Sequence, residues 1–271
     1  MSRISKTFDR LGREKARGLI IYLTAGDPHP GRTVDLILGL EKGGADIIEL
    51  GVPFSDPIAD GPVIQRASER SLAAGTTLEA VLRILKDLRS RSEIPVVIFS
   101  YLNPVLRYGF EKFTADAAAG GADGALLTDL NVDEAGPYLE EMRRNELDPI
   151  FLVSQTTRDD RLKQLAQSSS GFVYLVSRAG VTGEQQALSN HAIPLIQRTR
   201  AVTSLPLAVG FGLSTKEHML SLAPYVDGAV VGSAVVRLIA KHHDEPDLAD
   251  RLAAYCAELK SGLILGEDAD E

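Results

Sequence analysis

The feature that most constrains this chain is a recurring pattern: a short apolar, β-branched run, a loop bearing Gly or Pro, then an amphipathic stretch of helical spacing. The runs are Leu19–Thr24, Ala45–Leu50, Pro95–Ser100, Asp123–Thr128, Pro149–Val153, Phe172–Val176, Pro206–Gly210 and Val226–Val231, eight in all. Helical spacing fills the intervals at Thr33–Lys42, Leu78–Ser90, Phe110–Ala119, Asp133–Asn145, Asp159–Ser168, His191–Val202 and Thr215–Ala223. Ala234–His242 and Pro246–Leu259 follow the last run. Three runs open alike, with Gly44-Ala45-Asp46, Gly121-Ala122-Asp123 and Val226-Asp227-Gly228. Near-continuous hydrophobic strands belong to a parallel sheet covered by helices. Eight such units within 271 residues predict a (β/α)8 barrel. The competing architecture is an open doubly wound sheet, which usually has fewer strands and a Gly-rich first turn, whereas this chain reads Thr24-Ala25-Gly26-Asp27-Pro28. The expected fold class is therefore α/β: a single (β/α)8 TIM barrel over residues 1–265 with extra N-terminal and loop helices. An acidic, disordered tail over 266–271 is expected to follow.

Composition narrows the partners. The net charge of −8 argues against nucleic acid, which is held by clustered Lys and Arg. A single cysteine, Cys256, makes neither an internal disulfide nor a Cys-rich zinc site and suits a reducing compartment. The five His residues show no metal-binding spacing, and no apolar stretch is long enough to span a membrane or serve as a secretory signal. A cytoplasmic protein is expected.

One interval breaks the rhythm: the loop after Leu50 is nearly twice the usual length, and long loops in compact domains tend to be functional. Glu49 ends the apolar run before it. Strand alternation puts Glu49 on the same face as Ile47, and a carboxyl at the C-terminal end of a barrel strand points into the mouth. Desolvation there would raise its pKa toward neutrality and suit it to proton transfer; pairing with a neighbouring cation is the alternative. In the loop itself, Asp56 before Pro57 reads as turn chemistry. Asp60 follows Ile58-Ala59 and precedes Gly61-Pro62, a good helix start, and on its own divides evenly between a structural and a catalytic reading. Gly210-Phe211-Gly212-Leu213-Ser214 and Gly232-Ser233 follow the seventh and eighth runs, where such barrels bind phosphate on backbone N–H groups. Tight βα turns are the alternative, but two such turns in the expected positions favour phosphate binding. Ser214-Thr215-Lys216-Glu217 reads as a capping box. The loop after Val176, with Gly180 and Gly183, has the composition of a lid.

Taken together, the segment from Ile48 through Gly51-Val52-Pro53-Phe54-Ser55-Asp56-Pro57-Ile58-Ala59-Asp60-Gly61-Pro62 resembles the defining motif of the tryptophan synthase α subunit family. Thr24–Pro28, Ser177–Gly183 and Gly210–Gly212 match as well, and the likeness runs from about Phe8 to Leu259. The resemblance implies retro-aldol cleavage of indole-3-glycerol phosphate to indole and glyceraldehyde 3-phosphate in L-tryptophan biosynthesis, with no metal, Schiff base or cofactor in this chain. By the same resemblance, Glu49 protonates the indole ring and takes the glycerol hydroxyl proton, and Asp60 accepts the indole N–H. Phosphate lies near Gly183, Gly212, Gly232 and Ser233. Tyr22, Ile64, Phe99, Leu126 and Phe211 enclose the indole, with Tyr174 near the carboxylates and Thr182 reaching Asp60 on lid closure; Ile64, Phe99 and Leu126 could equally be barrel core. The family also implies a pyridoxal-phosphate-dependent β subunit in an α2β2 assembly, docked on the loop Pro53–Asp60 and near Asn103-Pro104. Two departures bear on docking: Asn131 stands where the family usually has Pro in Asp-Leu-Pro, and Ser154-Gln155-Thr156 replaces Ala-Pro-Thr. Tyr22 stands where many relatives have Phe, so its hydroxyl needs a partner. A stand-alone lyase, or a barrel acting mainly to activate a β subunit, are the alternatives.

Overall fold

The computed structural model describes residues 1–176, 192–210 and 212–265. All eight apolar runs are strands, and all pair in parallel: β1 (Gly18–Thr24), β2 (Ile47–Gly51), β3 (Val96–Ser100), β4 (Gly124–Leu127), β5 (Asp148–Ile150), β6 (Leu152–Ser154), β7 (Val173–Val176), β8 (Leu207–Gly210) and β9 (Gly228–Val231). The fifth run differs from expectation by breaking in two at Phe151. Its first half pairs with β4 and its second with β7, so one residue joins the two ends of the sheet order β5-β4-β3-β2-β1-β9-β8-β7-β6 and closes the barrel. The Phe151 carbonyl accepts the Tyr174 N–H at 3.2 Å, which keeps the break hydrogen-bonded.

Strand alternation sorts the side chains. Leu19, Ile21 and Leu23 of β1 face the helical layer, in one cluster with Ile48, Leu50, Val96 and Ile98. Ile20, Ile47, Val97, Leu126, Ile150, Phe172, Ala208 and Val230 fill the barrel interior. Helix α1 (Arg3–Arg13) plugs the N-terminal end, inserting Ile4 and Phe8 into that inner cluster, with the Phe8 and Phe172 rings 5.9 Å apart. Its start is fixed by Ser2, whose hydroxyl accepts the Ser5 N–H.

The echoing acidic residues have one structural reason. Asp46, Asp123 and Asp227 immediately precede β2, β4 and β9, and each carboxylate accepts the N–H of the residue beside it on the neighbouring strand: Leu19, Val96 and Leu207, all at 2.8 Å. A cation backs every one: Arg10 and Lys260 on Asp46, Arg3 and Arg89 on Asp123, Arg200 on Asp227. At the fourth equivalent place Ser170 donates its N–H to the Pro149 carbonyl at 2.9 Å, as each Asp does to the residue beside it; Pro has no N–H to offer in return, and no acid stands there. These clasps pin register where strands enter the barrel.

Helices α2 (Thr33–Lys42), α4 (Leu78–Arg89), α6 (Phe110–Gly120), α7 (Gly136–Arg144), α8 (Asp159–Ser168), α9 (Ile193–Arg200), α10 (Lys216–Leu222) and α12 (Leu248–Ser261) form the outer layer. Helix α10 is capped by Thr215, whose hydroxyl accepts the His218 N–H, one residue later than the capping box read from the sequence. Helix α7 starts at Gly136, three residues after the expected Asp133, because Asn131 diverts the chain: its Oδ1 accepts the Asp133 N–H at 3.1 Å and a hydrogen bond from Arg161. The Asn that departs from the family's Pro is thus a satisfied turn residue. The extra helices are α1, α3 (Pro62–Ala73), α5 (Leu102–Tyr108) and α11 (Ser233–Lys241); the last three sit on loops at the C-terminal end of the barrel. The proposed tail over 266–271 lies outside the described residues.

Burial raises the Asp123 carboxyl above its ordinary range even with its N–H and guanidinium partners, so the clasp specifies register more than it adds stability. Removing the acid nevertheless strands Arg89 and the Val96 N–H. Asp123→Ala is expected to lower stability by about 3 kcal/mol in urea unfolding, whereas Asp250→Ala, which breaks an exposed pair with Lys42, should change it by about 0.5 kcal/mol or less.

Candidate active site

Glu49 is wholly buried at the C-terminal end of β2, opposite Tyr22 of β1 in register. Neither carboxyl oxygen has a hydrogen-bond partner among the described residues. Burial with no compensating partner pushes its pKa up to about 8, so the group is mostly protonated at neutral pH. The ion-paired alternative is therefore not what the strand end holds.

Aromatic rings form the walls around it. Tyr22 and Phe99 meet edge to face with centroids 5.1 Å apart. The Tyr22 hydroxyl finds its partner in Thr24 Oγ1 at 3.2 Å, two residues on along the same strand face. Two glycines make room for the tyrosines: a Cβ on Gly51 would lie 2.4 Å from the Tyr22 hydroxyl, and one on Gly210 would lie 2.4 Å from that of Tyr174. Burial raises both phenols, with the Asp60 and Glu49 charges adding to the effect.

Asp60 stands on the long loop after β2, which is tied down at several points. Tyr101, just past β3, accepts the Ala59 N–H at 2.9 Å and stacks its ring 5.2 Å from Phe54. The Gln65 amide of α3 donates to the Asp60 carbonyl at 2.9 Å. Arg70, also on α3, grips the buried Asp27 carboxylate through two hydrogen bonds of 2.7 and 2.8 Å, holding the helix against the loop after β1. Partial burial lifts the Asp60 carboxyl to about 6, opposed by a hydrogen bond from the Tyr101 hydroxyl. Asp56, by contrast, engages Ser55 and a local turn to Ile58, as its sequence context suggested.

A cavity of about 160 Å³ opens above Glu49. It brings together Tyr22, Glu49, Ile64, Phe99, Tyr174, Gly212, Gly232 and Ser233 of the expected residues. Asp60 and Tyr101 are not among its lining residues, but the Asp60 charge acts on Tyr22 and Tyr174, which are. Leu126 does not line it: the side chain is fully buried in the inner barrel cluster. Thr182, Gly183, Phe211 and the lid residues around Gly180 lie outside the described residues. Sequence reading missed Tyr101, Leu213, Val230, Ala234 and Arg237. For Arg237 a signal existed: it follows Ser233 by four residues, hence lies on the same face of α11. A larger cavity of about 690 Å³ lies at the opposite, N-terminal end, around Ser5, Arg143 and Asp148. Among the described residues, no group of three His, Cys, Asp or Glu side chains could hold a metal ion, and no helix is long and apolar enough to cross a membrane.

At neutral pH the mouth therefore holds one carboxyl able to donate a proton and one that stays largely ionised, the separation of roles that acid–base catalysis requires. Fold and site together define a (β/α)8 barrel with a carboxyl pair suited to acid–base chemistry at its mouth. Comparison with known proteins gives the particular kind: the chain belongs to the tryptophan synthase alpha chain family, whose model matches residues 8–263. The alpha chain of Solibacter usitatus is 55% identical over 263 residues, covering 97% of this chain and 98% of that protein. That of Geotalea uraniireducens is 46% identical over 263 residues with the same coverage. Among solved structures, tryptophan synthase subunit alpha from Legionella pneumophila superposes with a TM-score of 0.90 at 37% identity, covering 97% of this chain and 98% of that one. A tryptophan synthase chain from Mycobacterium tuberculosis gives 0.89 at 38% identity, covering 98% and 99%.

The raised Glu49 pKa has a consequence for stability. The folded state binds this proton more tightly than the unfolded chain, so wild-type stability falls as pH rises from about 4.5 to about 8. Glu49→Gln removes that penalty. Thermal or urea unfolding should find the variant more stable by on the order of 3 kcal/mol at pH 8, with the difference vanishing near pH 4.

Proposed function

We propose that this chain cleaves indole-3-glycerol phosphate to indole and glyceraldehyde 3-phosphate, with Glu49 as the proton-transferring group and Asp60 as the electrostatic one. The observation that carries the assignment is the buried, unpartnered Glu49 carboxyl facing the cavity. Protonated at neutral pH, Glu49 donates to C3 of the indole ring, which turns the ring into an electron sink. The bond between C3 and the adjacent glycerol carbon then breaks as the hydroxyl on that carbon loses its proton and becomes the aldehyde. The Glu49 carboxylate left by the first transfer accepts that proton, so the enzyme ends as it began. Asp60, ionised, accepts the indole N–H and stabilises the cationic ring in between. The Tyr22 and Phe99 rings bracket the indole, and the phosphate takes the Gly212 turn and the start of α11. The chain's own chemistry needs no cofactor.

Family membership supports a β subunit as partner, carrying pyridoxal phosphate and consuming the indole; an α2β2 assembly in the cytoplasm is the corresponding reading. Ile58 on the long loop is 86% exposed and Leu106 on α5 is 56% exposed, and both stand on the segments expected to dock. Indole release by the purified chain, with and without a β subunit, tests the reading. Release that rises strongly on adding the partner supports the two-subunit enzyme. Fast release unaffected by it supports the stand-alone lyase, and activation of the partner with no release at all leaves only the activator role.

Two outcomes follow for the carboxyls. Glu49→Gln should reduce indole formation by about 10³-fold or more while retaining affinity for phosphorylated ligands, and Asp60→Asn should lose most of kcat/KM, both read in a steady-state indole assay. The pH profile of kcat/KM should be a bell. It falls below about 6 as Asp60 is neutralised, and above about 8 as Glu49 loses the proton it must donate. Because the Tyr101 hydroxyl holds Asp60 down, Tyr101→Phe should move the acid limb upward.

A further inference from the structure

Of the described residues that line the cavity, Glu49 at the inner end bears a carboxyl that is mostly protonated at neutral pH, and Arg237 on α11 bears the one cationic side chain. Helix α11 opens on Gly232 with no side-chain cap and no acidic residue in its first turn, so its leading N–H groups have no side-chain acceptor there. Arg237 comes one turn after Ser233. Helical side chains lean toward the N-terminus, so this guanidinium is directed back over the helix start and the Gly232–Ser233 turn. Among the described residues it has no carboxylate partner, although most guanidiniums of the chain are paired. A free cation beside an uncapped helix start, in a protein of net charge −8, counteracts the repulsion a dianion would otherwise meet on entry.

We propose that Arg237 is the specificity-determining residue that holds the substrate's phosphate at the cavity mouth and so selects phosphorylated over unphosphorylated indole compounds. The assignment rests on the reaction proposed above and deepens it. The glycine turns and helix start supply hydrogen bonds but no net positive charge; Arg237 supplies the charge and a forked pair of donors. With the cation at the outer end and the neutral Glu49 carboxyl among aromatic rings at the inner one, a substrate is oriented with its anionic group outward and its ring inward.

The test compares the wild-type protein with Arg237→Leu and Arg237→Lys, each confirmed to melt at the wild-type temperature, which is expected for an exposed side chain. Two probes are used: 3-indolepropanol phosphate and 3-indolepropanol, identical but for the phosphate. Arg237→Leu should weaken the phosphorylated probe about 10- to 100-fold and leave the unphosphorylated one unchanged, with Arg237→Lys recovering most of the loss. In turnover of indole-3-glycerol phosphate, KM should rise by a similar factor with little change in kcat, the signature of lost uniform binding. Equal weakening of both probes, or of neither, overturns the proposal. If the wild-type chain binds the phosphorylated probe through Arg237 yet releases no indole, the reaction assignment fails and the inference on Arg237 stands.

Discussion

A carboxyl group with no hydrogen-bond partner, sealed inside the end of a barrel, is an expensive thing for a fold to keep. The rest of the C-terminal end is arranged around Glu49 in that condition. Glycines at 51 and 210 let two tyrosines close in beside it without reaching it as donors, and Tyr22 spends its hydroxyl on Thr24 instead. The long loop is clamped by Tyr101 and Gln65, so its own carboxyl, Asp60, is held in a wetter, hydrogen-bonded place with a lower pKa. Two carboxyls thus differ in charge at one pH because one is dry and the other is not. A strained arrangement of this kind is tolerated when surrounding structure over-determines it.

That over-determination comes from the opposite end. The N-terminal end of the barrel carries the aspartate clasps, their cations and the α1 plug, and none of these residues lines the cavity above Glu49. Register fixed where strands enter determines which side chains face inward at their exits, since a slip of one residue would turn Glu49 into the helical layer. Stability and chemistry are therefore carried by different ends of the same strands. The recurring Asp, visible in the sequence only as an echo, ties the two together.

How far the sequence could be read follows from burial. Strands covered on both sides are continuous apolar runs, so all eight were visible, and α2 and α8 run over the very residues their periodicity marks. The split at Phe151 was not visible, because closing a barrel at one residue changes pairing partners and leaves hydrophobicity unaltered. The late start of α7 was hidden for another reason: a short polar side chain, Asn131, competes with the helix for backbone hydrogen bonds, and the apolar period does not register that. In the site, Glu49 was legible because an acid inside an apolar strand is anomalous. Tyr101 was not, since an aromatic after a strand is ordinary in sequence and becomes functional only by placement, and Arg237 was marked by nothing more than its spacing from Ser233. Leu126 shows the converse: its strand position has the right parity for the pocket, but its side chain is buried in the inner barrel cluster.

The chemistry turns on the protonation state of one group, and that group can be observed directly. Selective 13C labelling of glutamate side chains, with the Glu49 signal assigned by its absence from Glu49→Gln, allows its carboxyl to be titrated by NMR in the resting protein. A midpoint near 8 is expected, well separated from the other glutamates. A midpoint near the ordinary 4.5 would mean that Glu49 is ionised at neutral pH, and the barrel would then hold no proton to give.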